Sequence, residues 1–184
     1  MTKTMIKKSG TSLIMRYPII WVIFLVWPLS ACQGHHGGHA AHHADTVRLD
    51  AVQDRGTHVM PFDLEKTLHV FTKTEEGGLQ EVVAKNPQDR EQIDLIRQHL
   101  RQIREDFSRR NFSGPAFIHG EDMPGLATLK QAGPDELHLE YKDLPAGARV
   151  SYSSPSPKIR EAIHQWFDAQ LSDHARHAVP GHQN

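Results

Sequence analysis

The chain has 184 residues, with 21 Lys and Arg against 22 Asp and Glu, and it contains 14 histidines. The resulting formal net charge of −1 does not favour binding to nucleic acid. The single cysteine excludes an intramolecular disulfide and any zinc or iron–sulfur site that needs several cysteines.

The start of the chain has the three parts of a secretory signal. Residues 1–18 carry four basic and no acidic side chains, residues 19–27 are apolar, and small residues follow. The apolar run is about half of the roughly 20 residues that a membrane-spanning helix needs, and Pro28 interrupts a helix. We therefore predict a signal peptide over residues 1–31, with the start codon left open among Met1, Met5 and Met15.

The sequence Leu29-Ser30-Ala31-Cys32 resembles the lipobox of bacterial lipoproteins. That resemblance implies a diacylglycerol on Cys32, cleavage before it, and acylation (as by palmitate) of the new amine, so that the protein faces the periplasm from a membrane. Gln33 after the cysteine implies the outer membrane in a Gram-negative cell. Several acyl chains anchor a protein firmly. The alternative is an ordinary signal cut near Ala31, which leaves Cys32 as a free thiol.

Removal of the signal changes the charge of the chain. Four of the basic residues precede Cys32, which leaves 17 Lys and Arg against 22 Asp and Glu. All 14 histidines follow Cys32. The mature protein is therefore expected to be acidic and rich in histidine.

The rest of the chain divides into three parts. Residues 32–58 are rich in Gly, Ala and His and lack a sustained apolar pattern, which predicts a flexible tether. Residues 59–174 are expected to form the folded domain, and residues 175–184 a loose tail.

The domain repeats the order strand, strand, helix. Alternating apolar positions predict a hairpin over residues 67–85, and Asn86-Pro87 opens a helix with apolar residues at helical spacing. A second hairpin is predicted over residues 136–154, and Ser156-Pro157 opens a second helix. We expect an α+β fold: a duplicated ββα unit that forms a four-stranded antiparallel sheet with two helices on one face.

Histidine is the most distinctive candidate ligand of the tether. Neutral imidazole binds copper, nickel and zinc, and a mobile cluster can place several ring nitrogens around one ion. The tether histidines are His35, His36, His39, His42 and His43. They predict a site for copper or zinc, although a solvated linker with incidental metal affinity is the structural alternative.

A second group lies in the connection between the two ββα units. His119 and Met123 offer an imidazole and a thioether, which suit copper(I), while Glu121 and Asp122 nearby would suit zinc or copper(II). The structural alternative is a loop in which Met123 fills the core.

Further histidines lie on the predicted helices and strands. His164 and Asp168 are four residues apart on one helix face, with His174 near the helix end, and could form a second site or a His/Asp general base. The alternatives are an exposed ion pair and, for His174, a favourable contact with the helix dipole. His69 and His138 alternate with leucines, which predicts that both face the solvent side of the sheet, either as a matched pair or as two separate solvated histidines.

Three segments resemble small bacterial proteins over residues 60–174. They begin at Thr67-Leu68-His69-Val70-Phe71, at Ile118-His119-Gly120-Glu121-Asp122-Met123-Pro124-Gly125 and at Ile163-His164-Gln165-Trp166-Phe167-Asp168. Some of those proteins carry the label aspartate carbamoyltransferase. True transcarbamoylases are much longer and contain a Ser-x-Arg-Thr phosphate-binding motif that this chain lacks, so the resemblance implies no activity.

These observations favour an envelope lipoprotein that binds copper or zinc through histidines, for sequestration or delivery. One alternative is an envelope protein that binds a small ligand or a protein partner. The other is an enzyme with a His/Asp base, although the chain has no Gly-x-Ser-x-Gly, P-loop or His-Glu-x-x-His motif. The expected partners are the membrane, through the lipid, and a metal ion, but not nucleic acid.

Overall fold

A computed structural model describes residues 38–174 and 176–182, which belong to one compact unit. The predicted signal, Cys32, His35 and His36 lie outside the described residues. The side chains of residues 38–45 are not described either. Within the part of the chain that is described, no helix is both long and apolar enough to cross a membrane.

The fold is α+β, as the sequence predicts. The elements in chain order are α1 (Gly38–Val59), β1 (Thr67–Thr74), β2 (Gly77–Ala84), α2 (Arg90–Ser108), α3 (Ser113–His119), α4 (Leu126–Lys130), β3 (His138–Leu144), β4 (Gly147–Ser153), α5 (Pro157–Asp173) and β5 (Ala178–Pro180). A single 3-10 turn, Leu64–Lys66, precedes β1.

The sheet has five strands in the order β3-β4-β2-β1-β5. The four long strands pair antiparallel, while β5 pairs parallel with β1. The expectation of a four-stranded antiparallel sheet is thus wrong by one strand. That strand belongs to the segment expected to be a loose tail, and its three residues are too few to give a periodic pattern.

Both hairpins and both long helices form where the sequence predicts them. The apolar stripe of α2 is buried at Ile93, Ile96, Leu100 and Phe107. The stripe of α5 is buried at Ile159, Ile163, Trp166 and Phe167, among others. Each helix packs mainly on the hairpin of the other ββα unit: α2 contacts β3 and β4, and α5 contacts β1 and β2. The core lies between these helices and one face of the sheet.

The two units also match in chain position. Gly77 and Gly147 begin β2 and β4, and Pro87 and Pro157 precede or open α2 and α5. The separation along the chain is the same for both pairs. The pairing of β2 with β4 is also symmetric. The first residue of β2, Gly77, lies opposite Ser153 near the end of β4, and the first residue of β4, Gly147, lies opposite Val83 near the end of β2.

The segment expected to be a flexible tether is helical over its described part. Helix α1 packs against α3 and buries Val52, which is 1% exposed. Arg55 donates from Nε to the carbonyl oxygen of Ile118 at 2.8 Å, and Arg48 Nη1 lies 2.6 Å from Asp173 Oδ1. Among the α1 side chains whose burial is described, Val52 is the one buried apolar side chain, and this explains why an apolar pattern does not reveal the helix.

Candidate functional site

A cavity of about 200 Å³ lies between the sheet and the helices. Strands β1 and β2 contribute His69, Gln80 and Val82, while α2 contributes His99. Apolar side chains of α2 and α3 form much of the remaining wall: Leu100, Ile103, Phe107 and Ile118. The cavity is therefore mainly apolar, with a few polar groups in its wall, which is the usual composition of a small-ligand site.

Four histidines from four different elements line this cavity. They are His69 in β1, His99 in α2, His119 at the end of α3, and His174 directly after α5. The His69 and His174 rings are nearly parallel, with centroids 5.6 Å apart. The His119 ring meets His174 edge to face, with centroids 4.9 Å apart. Sequence separation hides this cluster, because its members are brought together only by the tertiary fold.

Burial keeps most of the cluster uncharged at neutral pH. Desolvation, followed by repulsion from His99, lowers the pKa of His69 to about 4. Desolvation also lowers the pKa of His99 to about 4. Desolvation and the neighbouring His69 and His119 lower the pKa of His174 to about 3. Each of these three rings therefore offers one N–H donor and one nitrogen acceptor at pH 7.

His119 is fixed by a buried carboxylate. Its Nδ1 lies 2.7 Å from Asp173 Oδ2, and the two side chains are 1% and 2% exposed. Burial alone would raise the pKa of Asp173, but the hydrogen bonds from His119 and Arg48 outweigh burial and lower it. Asp173 is consequently an ionised carboxylate that can only accept hydrogen bonds.

Two polar atoms at the cavity wall have no partner among the described residues. The indole Nε1 of Trp166 and the Nδ1 of His69 are both buried without a hydrogen bond. A buried polar group without a partner costs about 1–3 kcal/mol. Because such groups are rare in native proteins, a functional role is one explanation for their presence in a cavity wall.

His177, just before β5, extends the histidine cluster behind the cavity. The side chain is 6% exposed, and Nε2 lies 3.3 Å from Glu65 Oε1. The two groups are close enough for an ionic contact, but neither ring nitrogen has hydrogen-bond geometry with a described residue. His177 does not line the cavity, although its backbone carbonyl accepts from the amide of His69 at 2.8 Å.

The structure separates several residues that the sequence placed together. His164 does not pair with Asp168; its Nε2 lies 2.8 Å and 3.0 Å from the carbonyl oxygens of Gly77 and Thr74. Those oxygens can only accept, so Nε2 donates and fixes the β1–β2 turn. Asp168 instead pairs with Lys73 at 2.6 Å. His174 lines the cavity with His69 and His119, and it does not form a site with His164 and Asp168.

The predicted pair on the solvent side of the sheet is also wrong. His69 is 4% exposed and faces the core beside Phe71, whereas His138 is exposed. The parity argument fails because Leu68 and Val70, on the other face, are only half-buried. Because β1 has apolar residues on both faces, its apolar and polar side chains do not alternate, and the sequence does not show which face is buried.

The metal ligands proposed in the connecting segment do not assemble either. Met123 is 5% exposed and packs in the hydrophobic core, while Glu121 pairs with Lys130. No three His, Asp or Glu side chains in the described residues are placed to hold one metal ion. The tether histidines lie outside the described residues or have side chains that are not described, so copper or zinc binding there stays a prediction.

Comparisons with known proteins add no family to this geometry. No protein-family model, curated protein or solved structure matches the chain.

Proposed function

We propose that the domain binds a small, uncharged ligand in the histidine-lined cavity. The cavity itself is the observation that carries the proposal, because it combines apolar walls with several uncharged imidazoles. Among the described residues no lysine or arginine lines it, and the one charged group there is Asp106, whose hydrogen bond from Gln102 helps to lower its pKa. An anion would therefore meet no cation, while an uncharged molecule would find both donors and acceptors.

Phenol is a suitable probe, because it combines one hydroxyl group with a small apolar ring. Trp21 and Trp27 belong to the predicted signal, which leaves Trp166 as the one tryptophan of the mature chain. The indole N–H resonance of Trp166 therefore reports on the cavity without ambiguity. We expect phenol to shift this resonance with a Kd of about 1 mM, typical of a good ligand with so few atoms.

A pair of serine substitutions gives the control for this titration. Ser113 is an exposed residue that lines the cavity, and Ser108 is exposed at the end of α2 and does not line it. Ser113→Phe should obstruct the cavity and weaken phenol binding, whereas Ser108→Phe should leave binding unchanged. If the Trp166 resonance does not move at about 10 mM phenol, the proposed function is wrong.

The location of this binding domain is a second part of the proposal. Following the lipobox, we propose that Cys32 carries lipid and holds the domain at the periplasmic side of a membrane, by preference the outer membrane. A labelled palmitate analogue should enter the wild-type protein in cells but not a Cys32→Ala variant. Equal labelling of both proteins would contradict the proposed anchor.

Transition-metal binding by the segment after Cys32 is a second candidate function, and one observation favours it. Helix α1 begins at Gly38, so His39, His42 and His43 occupy positions on one helix face. Histidines spaced three or four apart on a helix are a common arrangement of metal ligands. The favoured ions remain copper and zinc.

Calorimetry distinguishes this second candidate from a metal site inside the domain. We expect copper or zinc to bind the mature protein with a Kd below about 100 μM, or roughly −5.5 kcal/mol. Replacing His35, His36, His39, His42 and His43 with alanine should abolish that binding. Weaker binding by the wild-type protein, or unchanged binding by the five-alanine variant, would contradict a site in this segment.

We also infer that the domain derives from a duplicated ββα unit. The support is the equal chain separation of Gly77 from Gly147 and of Pro87 from Pro157, together with the symmetric pairing of β2 and β4. On this view α1, α3, α4 and β5 were added around the duplicated core. Helix α3 supplies His119 to the cavity wall, so the site is not itself symmetric.

A further inference from the structure

The His119–Asp173 pair has a second contact that fixes its chemistry. Arg48 of α1 donates from Nη1 to Asp173 Oδ1 at 2.6 Å, while His119 occupies Oδ2. Each carboxylate oxygen thus has its own donor. The three residues come from α1, α3 and α5, so that the folding of three separate helices places one imidazole.

The carboxylate determines which nitrogen of His119 carries the proton. An ionised carboxylate has no proton to donate, so Nδ1 of His119 must be the donor in the 2.7 Å contact. In the neutral ring, the lone pair then lies on Nε2. No hydrogen bond from Nε2 to any described residue is present, which leaves this nitrogen available as an acceptor.

The position of the ring relates this acceptor to the cavity. His119 lines the cavity, whereas its carboxylate partner Asp173 does not. The ring also contacts His174, another residue of the cavity wall, edge to face. Apolar groups of Leu100, Ile103 and Phe107 line the same space.

We propose that His119, positioned by Asp173, accepts the hydrogen bond of a hydroxyl group on the cavity ligand, and that this ligand is an uncharged molecule with that hydroxyl beside an apolar ring or chain. The inference rests on the proposed function and adds the chemical class of the ligand. Asp173 is a positioning residue here, because it acts on the ligand only through His119. A hydroxyl that binds elsewhere in the cavity would not depend on Nε2.

Phenol and anisole test this directly, because anisole has the same ring but its oxygen carries a methyl group in place of the hydroxyl proton. We expect wild-type protein to bind phenol about tenfold more tightly than anisole, the ratio that corresponds to one buried hydrogen bond of about 1.4 kcal/mol. Both titrations are followed by the indole resonance of Trp166 in the full mature chain. Equal affinities would overturn the role of His119 and leave the proposed function intact, whereas binding of neither compound would overturn both.

Two substitutions locate the acceptor. His119→Phe keeps a ring but removes both nitrogens, so it should abolish the preference for phenol without weakening anisole. His119→Gln can place an amide oxygen near the Nε2 position, so it should restore part of that preference. A phenol preference that survives in His119→Phe would overturn the assignment, and the comparison of phenol with anisole in the wild-type protein stands even if a variant does not fold.

The ring proton gives a readout for Asp173 that a general loss of structure would not mimic. Nitrogen-detected correlation spectra should show His119 as the Nδ1–H tautomer in the wild-type protein. Asp173→Asn should move the ring toward a tautomer mixture and reduce the phenol preference, with the anisole Kd unchanged. A wild-type ring protonated on Nε2 instead would overturn the proposal.

Discussion

At the scale of residues, two buried histidines and one half-buried histidine resist protonation. His69 and His174 are 4% and 7% exposed, and desolvation lowers the pKa of each, to about 4 and about 3. His99 has its pKa lowered to about 4 for the same reason. One unit of pKa is worth about 1.4 kcal/mol, so these residues link folding to pH.

The sign of that linkage follows from which state binds more protons. Below the unfolded pKa of about 6.5, the unfolded chain protonates these three rings while the folded chain does not. We therefore expect the free energy of unfolding to be highest above pH 6.5 and to decrease as the pH falls toward 4. With up to three protons involved, the slope near pH 5 should approach about 4 kcal/mol per pH unit.

Urea denaturation followed by Trp166 fluorescence measures this slope at a series of pH values. His174→Gln removes one of the three depressed groups and should reduce the slope by about one third. His138→Gln is the matched control, since it also replaces a histidine with glutamine but His138 is exposed. A wild-type stability that stays constant between pH 7 and pH 5 would show that the rings are not buried as described.

At the scale of elements, close backbone approaches hold the two hairpins together. A Cβ on Gly77 would lie 2.3 Å from the carbonyl oxygen of Tyr152, and a Cβ on Gly147 would lie 2.0 Å from that of Val82. Gly77 also has φ of +151°, which side chains disfavour. The two glycines lie at opposite ends of the β2–β4 pairing, so a side chain at either position would force these central strands apart.

Alanine at either glycine should therefore destabilise the sheet. We expect Gly77→Ala and Gly147→Ala to lower the free energy of unfolding by about 3 kcal/mol or more. Gly114→Ala is the control, because its added Cβ would only reach Val59 Cγ1 at an ordinary 3.6 Å within helix α3. Its effect should stay within about 1 kcal/mol, and a similar loss for all three variants would contradict the proposed close approach.

The long periodic elements are the part of the fold that the sequence predicts. The stripes of α2 and α5 repeat over several turns, and Pro157 near the start of α5 marks a helix boundary. Helix α1 and strand β5 are missed for a physical reason. Helix α1 buries few apolar side chains and contacts its neighbours partly through Arg48 and Arg55, whereas β5 has only three residues, so neither contains an apolar repeat.

The candidate site was predictable only in part. The sequence identifies His119 and His174 as separate candidate residues, but no pattern in it predicts that they contact each other or that His119 contacts Asp173. The carboxylate partner of a buried histidine is chosen by tertiary packing, here by the meeting of the ends of α3 and α5. A local spacing rule instead selects Asp168 for His164, and the structure gives both of these residues other partners.

At the scale of the whole molecule, the described domain has its cavity in the layer between sheet and helices. Elements from both ββα units contribute to its wall, and so does α3 in the connection between the units. The cavity therefore exists only when both units are folded together. A ligand bound there should stabilise the entire domain rather than one hairpin.

The central claim is that this cavity admits and binds a small uncharged molecule. The most direct measurement is an isotope-filtered nuclear Overhauser experiment on the mature protein with phenol. We expect contacts from the phenol ring to the methyl groups of Leu100 and to the indole of Trp166, both of which line the cavity. Contacts confined to the shallow surface groove beside Glu75 and Ser151, or no contacts at all, would contradict the claim.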